Sequence, residues 1–418
     1  MTATAYDVIV VGARVAGAAT AMLLARAGLS VLAVDRARFP SDTLSSHQVQ
    51  VPGVARLARW GLLDRLTAAA TPATRRVRFD PGPVVLDGGF PRHAGVDALY
   101  SPRRTVLDAM LVDAAREAGA EVREGYTVQE LVWVDGRVAG IRGRERGGPP
   151  AVDTARLVIG ADGKRSTVAA AVGAQRYRER PALALACYTY WAGLPMPVGE
   201  LYQRPGRAVA AFATNDDLTM VYAAAPRTEL PAWRTDLAGH YRATLDRCAD
   251  LGERVRGARQ AERLRVAPEQ PNAFRVPHGP GWALVGDAGL VLDSITAQGI
   301  GNAFRDADLL ADAVTAAASA GRPLDAGLVG YRRRRDAAVG PMYDLTVRVA
   351  SFAPPAAADR HLLAALPGRQ AEIDRFIGVF AGIVPIPEYR SWRSLLRVLG
   401  PRGLARAGAA SLRQRDRG

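Results

Sequence analysis

Gly12, Gly17 and Asp35 stand at a spacing that can hold a nucleotide. The stretch VIVVGARVAGAATAMLLA covers residues 8–25, and Asp35 lies 23 residues beyond Gly12. Gly12 permits a tight turn after an apolar run, and Gly17 lets a helix approach a strand closely. Exposed N–H groups at a helix start can hold a pyrophosphate, and a carboxylate at Asp35 can accept hydrogen bonds from a ribose. Arg14 stands where a second glycine normally leaves room for the phosphates. The site tolerates it if the side chain turns away and only its backbone faces the ligand. An ordinary buried β-α-β unit with no ligand is the alternative reading of these residues.

A second chemical candidate follows in the loop DRARFPSDTLSSHQVQ, residues 35–50, which gathers Ser41, Asp42, Thr43, Ser45, Ser46 and His47. A neutral imidazole at His47 can accept a substrate proton or donate to a developing oxyanion. A local loop hydrogen bond is the plainer alternative. His93, His240, His278 and His361 lack zinc-like spacing, and no Ser–His–Asp signature appears, so no metal site is expected. Cys187 and Cys248 have no metal-like spacing either and make a disulfide framework improbable, which suits a reducing, cytoplasmic compartment.

The chain has 418 residues, 49% of them hydrophobic, and a formal net charge of +14 carried by arginine with a single lysine, Lys164. Such an excess attracts phosphates, carboxylates or an anionic lipid surface. Nucleic acid is not expected, because no basic stripe with aromatic platforms is present. Arg14, Arg26 and Asp35 argue against a signal or membrane helix at the start, and no later run has eighteen uninterrupted apolar residues. No transmembrane segment is expected. The tail 389–418 is rich in arginine; Trp392, Leu395, Leu396 and Leu399 are spaced as a short apolar helical face. Docking on the protein body is its default role, and peripheral contact with an anionic surface is the alternative.

These residues must be positioned by alternating strands and helices. Val8–Val11 and Val31–Val34 read as strands buried on both faces, with a helix from about Gly17 between them. Residues 155–163 and 281–289 read as further buried strands, and 297–317 as a long helix with Gly299 and Gly301 at its start. Between these visits the composition changes to short strands and Pro/Gly turns. The expected organisation is α/β: a dinucleotide-binding core with an inserted, mostly antiparallel β-sheet substrate domain and a helical C-terminal region. Its core segments are 1–71, 100–173 and 276–340; the insertions are 72–99 and 174–275; the helical region with the basic tail is 341–418. Tyr188, Tyr190, Trp191, Phe212 and Tyr222 are candidate pocket aromatics, each also suited to ordinary core packing.

Three separated motifs then resemble the FAD-dependent monooxygenase and reductase superfamily of the p-hydroxybenzoate hydroxylase and geranylgeranyl reductase type. They are the first loop with Asp35, LVIGADGKRSTV (157–168) and ALVGDAGLVLDSITAQGIGNAF (283–304); YSPRRTVLDAML (100–111) resembles that superfamily's arginine-bearing helix start. The resemblance implies an extended FAD. Its adenosine would lie by Asp35 and Arg36, its pyrophosphate by Gly12, Arg14, Val15, Ala16 and Gly17, with Arg104 approaching the phosphates. Gly286 and Asp287 would serve the ribityl chain, and Gln298, Gly299, Ile300, Gly301 and Asn302 the isoalloxazine. Asp162 and Gly163 would have a structural and nicotinamide-facing role.

Two departures from the superfamily pattern are Ser294 in place of a common proline and Ala297 in place of a frequent glycine. The implied activity is an NADPH- or NADH-using monooxygenase. It would hydroxylate or epoxidise a small aromatic or unsaturated substrate with molecular oxygen, through a flavin C4a-hydroperoxide. Reduction of isoprenoid double bonds is one alternative, though the cysteine common in the lipid reductases' loop is replaced here by the Ser45–His47 neighbourhood. A noncatalytic FAD-binding protein is another, and halogenation lacks the WxWxIP segment.

Overall fold

The computed structural model describes residues 5–45 and 47–415, with side chains through residue 405. Ser46 and the last residues of the basic tail therefore lie outside the described side chains. The chain opens with β1 (Ala5–Val11), α1 (Val15–Arg26), β2 (Val31–Asp35) and α2 (Val51–Arg59). The core continues with α3 (Arg104–Glu117), β3 (Glu121–Glu124), β4 (Ala151–Gly160), α4 (Thr167–Ala171), β5 (Trp282–Leu284) and α5 (Gly299–Ser319).

Strands β3, β2, β1, β4 and β5 lie side by side in parallel, with Val8 opposite Val31 on one side and Leu157 on the other. This central place explains the unbroken apolar run of β1. Val8 and Val10 face the cluster containing Ala18, Ala21 and Met22 of α1. Ile9 and Val11 face a second cluster with Tyr126 and Ile141 of the hairpin Tyr126–Val134/Arg137–Glu145. Both faces are covered, so alternation has no place.

The glycines of the first turn are sterically required. Gly12 has φ +100°, and a Cβ there would sit 2.6 Å from the Ala161 carbonyl oxygen; a Cβ on Gly17 would sit 1.7 Å from the Gly12 carbonyl oxygen. Helix α1 starts two residues before Gly17, at Val15.

The second sheet joins distant segments. Among the described residues it has eight strands. Ala184–Ala192, Leu218–Pro226, Arg207–Ala213 and Gly199–Arg204 run in that spatial order, followed by Arg76–Asp80 and Leu86–Gly89. Its neighbours are antiparallel except where Gly199–Arg204 meets Arg76–Asp80 in parallel. Period-two alternation then separates the aromatics. Tyr188, Tyr190 and Tyr222 share one face with Ala186, Met220 and Ala224. Trp191 enters the cluster on the opposite face, and Phe212 joins the main core.

The carboxyl-terminal helices include α6 (Leu328–Ala350), α7 (Gln370–Phe380) and α8 (Trp392–Arg415). Helix α6 begins before residue 340, and its fully buried Arg335 donates to the carbonyls of Gly289 and Arg275. That guanidinium braces the turn after β5.

Candidate functional site

The first turn of α1 offers backbone donors and no competing acid. Its N-cap, Arg14, makes no side-chain cap, and the first α-helical bond among these residues runs from Ala18 N to Arg14 O at 2.8 Å. The N–H groups of Val15, Ala16 and Gly17 consequently lack intrahelical acceptors. The Arg14 side chain turns away from this turn. Its guanidinium donates to Asp108 Oδ2 at 2.6 Å, Ser41 O at 3.2 Å and Ser41 Oγ at 3.0 Å. Arg104 grips the same fully buried carboxylate, at 2.8 Å and 2.9 Å to Oδ1. Asp108, missed in the sequence, stands four residues beyond Arg104, a helical spacing that could have exposed it.

Asp35 ends β2 and is itself tied down: Ala13 N donates to Oδ2 at 2.7 Å and Ala37 N to Oδ1 at 2.8 Å. These bonds orient the carboxylate while each oxygen keeps a second acceptor site. Arg36 is exposed beside it. With Arg144 and Arg146 it lines a hollow of about 530 Å³.

The second and third motifs pack against the first turn, at Gly12 and at Ala16 respectively. Asp162 Oδ2 accepts from Thr167 N at 2.6 Å, steadying the start of α4, while Oδ1 is buried without a partner. Burial raises its pKa. Arg275 joins the two loops, donating to Lys164 O at 3.0 Å and Ala288 O at 2.8 Å. Gly286 permits close contact, since a Cβ there would lie 2.7 Å from the Ala16 Cβ. The neighbouring Asp287 is pushed up to about 6, chiefly by burial; Lys164 and Arg104 oppose the rise and Asp306 adds to it.

Helix α5 begins in the open. Gly299 is exposed, and a Cβ on Gly299 or Gly301 would meet nothing within 4 Å. Ala297 sits in the left-handed region at φ 51°, where the superfamily pattern has glycine. Gln298 reaches away from the opening to Thr296 O at 3.0 Å and Phe380 O at 2.9 Å. Asn302 accepts from Arg305 at 2.7 Å, and Ile300 is buried in the core. Free first-turn donors on α1, the oriented Asp35, the half-buried Asp287 and the open start of α5 fit an extended FAD.

His47 lies fully buried at the sheet-facing side, with a left-handed φ of 57°. Its Nε2 pairs with the Tyr190 hydroxyl, its ring stacks on Tyr190 at 5.5 Å, and Nδ1 is buried without a partner. The imidazole pKa is pushed down to about 3, first by burial and then by Arg104, Arg103 and Arg265. Burial pushes the Tyr190 phenol up. The sequence reading missed Tyr190's partnership with His47, because 143 residues separate them and no spacing rule links them. Arg103 lies 4.4 Å over the Tyr190 ring and pairs with Glu262, while Arg265 pairs with Asp42 at 2.8 Å and Glu262 at 2.9 Å. The sheet also clasps both loops. Tyr188 accepts from Ser45 N at 3.1 Å, and the Tyr222 hydroxyl lies 3.1 Å from Ser294 Oγ.

Comparison with known proteins gives concordant results. The family described as "FAD binding domain" matches residues 5–346. The protein FixC of Salmonella typhi is 32% identical over 177 residues, 40% of this chain and 39% of that protein, so the match spans about two fifths of the FixC length. Menaquinone reductase of Mycolicibacterium smegmatis is 27% identical over 327 residues, 75% of this chain and 77% of the relative. The myxobacterial chondrochloren halogenase CndH shares the fold with a TM-score of 0.76 at 22% identity, over 98% of this chain and 97% of that one. PqsL of P. aeruginosa, solved with 2-aminobenzoylacetate, gives 0.70 at 21% identity, over 91% and 99%. Among the described residues no helix is long and apolar enough to cross a membrane, and no group of three or more potential ligands could hold a metal.

Proposed function

The chain belongs to the FAD-binding-domain family; from that premise we propose that it is an FAD-dependent oxidoreductase, an NAD(P)H-using monooxygenase of a small aromatic or unsaturated substrate. When bound, FAD supplies hydride acceptance from the nicotinamide and activation of dioxygen. One oxygen atom enters the acceptor and the other leaves as water.

The observation that carries this reading is the His47–Tyr190 pair at the head of the sheet's aromatic face. Tyr188, Tyr190 and Tyr222 pack with Ala186 and Ala224 on one face of the sheet, an apolar layer with hydroxyl tips suited to border an aromatic substrate. An imidazole held near pKa 3 is a poor proton acceptor at neutral pH, so its neutral form is the working form. With the Tyr190 hydroxyl donating to Nε2, the tautomer carries its proton on Nδ1. That unpartnered N–H then donates to an oxygen of the substrate and holds its reacting carbon in one orientation. Asp35, Asp287 and the first turns of α1 and α5 bind the nucleotide; Arg14 and Arg104 act through Asp108 to fix the loop that bears His47.

Reduction of an isoprenoid double bond is the second reading, favoured by the match to menaquinone reductase over three quarters of both chains. Anaerobic mixing of the purified holoprotein with NADPH or NADH, followed by labelled dioxygen and a panel of phenols, quinones and isoprenoids, separates the two. Label in the product supports monooxygenation. A reduced product formed without oxygen supports the second reading, and label-free product that requires added halide overturns both.

A further inference from the structure

The last thirty residues hold eight arginines and one aspartate, so half of the chain's net charge of +14 resides in residues 389–418. The structure divides this segment into a docked side and a free side. Val398 and Ser394 are buried and Leu395 packs on the core. Arg390 is paired with Asp359 and Arg397 with Glu372. Trp392 stays outside this docked face: at 64% exposure it is the most exposed large apolar side chain among the described residues. Arg393 lies 5.4 Å over its ring, and neither Arg393 nor Arg402 has a carboxylate partner among the described residues. Gly400 (φ 67°) and Pro401 break the helix between the docked half and the arginine-bearing remainder.

We propose that Trp392, Arg393 and Arg402 form a peripheral contact for an anionic lipid surface. An indole with a guanidinium over its ring suits the headgroup layer, where the ring is half-solvated and the cation is drawn to anionic lipid. Nucleic acid is the less suitable partner, because a single-strand groove needs a succession of aromatic platforms along a basic track. Here one exposed aromatic caps a basic segment. Helix α8 is too polar to span a bilayer, so the contact is superficial. Helix α7, to which Arg397 of α8 is tied through Glu372, accepts the Gln298 hydrogen bond at Phe380 O.

The test uses the full-length holoprotein and sedimentation with vesicles of phosphatidylcholine alone or mixed with phosphatidylglycerol, at low and high salt. Binding is expected to the mixed vesicles only and to fall with salt. Trp392→Ala/Arg393→Ala/Arg402→Ala should lose it by at least about tenfold, with flavin content and circular dichroism unchanged. Arg75→Ala/Arg259→Ala removes the same charge elsewhere and should keep it. Equal binding to both vesicle types, equal losses in the two variants, or retention by the triple variant overturns the proposal. So does saturable binding of single-stranded RNA through these residues without vesicle binding. The readout needs no turnover, so it stands or falls separately from the proposed chemistry.

Discussion

Replacing His47 by glutamine should flatten the acid side of the stability curve. Folding carries this imidazole from an ordinary value of 6.5 down to about 3. The unfolded chain therefore binds more protons between those limits, and stability is lost as pH falls below 6.5. Linkage puts the loss from His47 alone at about 2 kcal/mol between pH 7.5 and pH 5. Asp287 and Asp293, both pushed up to about 6 chiefly by burial, act in the opposite sense, because each binds a proton more readily when folded. The parent curve is the sum of these effects, and the difference between parent and variant isolates the histidine. Glutamine can still hydrogen-bond the Tyr190 hydroxyl. Its poorer fit to φ 57° subtracts a constant that does not vary with pH. Urea midpoints measured at several pH values for both proteins give the comparison. Parallel curves, agreeing within about half a kcal/mol after a vertical shift, would refute the account of a neutral, deeply desolvated imidazole.

Asp287→Asn should weaken FAD retention by about 1–3 kcal/mol, read by ultrafiltration and flavin fluorescence; parent affinity should itself fall as pH drops through about 6, and the variant should not show that step. Arg14→Gly restores the superfamily residue yet strips Asp108 of one of its two cations, so it should destabilise by about 1–3 kcal/mol without tightening FAD. A variant that binds FAD more tightly at unchanged stability contradicts this. Ala297→Gly relieves a left-handed alanine and should raise stability by roughly 0.5–1 kcal/mol, visible as a higher urea midpoint.

The elements proposed to hold the nucleotide were legible because their constraints are local. Gly12 and Gly17 are fixed by contacts with a neighbouring strand and turn, and such contacts leave a glycine in the sequence. The buried strands declared themselves as unbroken apolar runs. Asp35, Asp287 and the start of α5 follow from strand and helix ends. The substrate half was hidden for the opposite reason. Its pairings, His47 with Tyr190, Arg265 with Asp42, Arg103 with Glu262, cross between remote segments, and no periodicity relates them. Tyr190 and Trp191 both read as candidate pocket aromatics, yet they lie on opposite faces of the sheet. Arg14 looked like an obstacle to phosphate, since its one-residue context could not reveal Asp108 on another helix.

The parallel pairing of Arg76–Asp80 with Gly199–Arg204 bears on how the chain is made. A ribosome delivers residues at roughly 5–20 per second, so the earlier strand emerges several seconds before its partner exists. Strand β1 faces a comparable delay before β4 arrives. During that interval the Arg76–Asp80 strand has only Leu86–Gly89 to pair with, and its other edge stays unsatisfied. Closing the second sheet must await the Gly199–Arg204 segment, so a fragment that stops short of it leaves an open strand edge on which to aggregate.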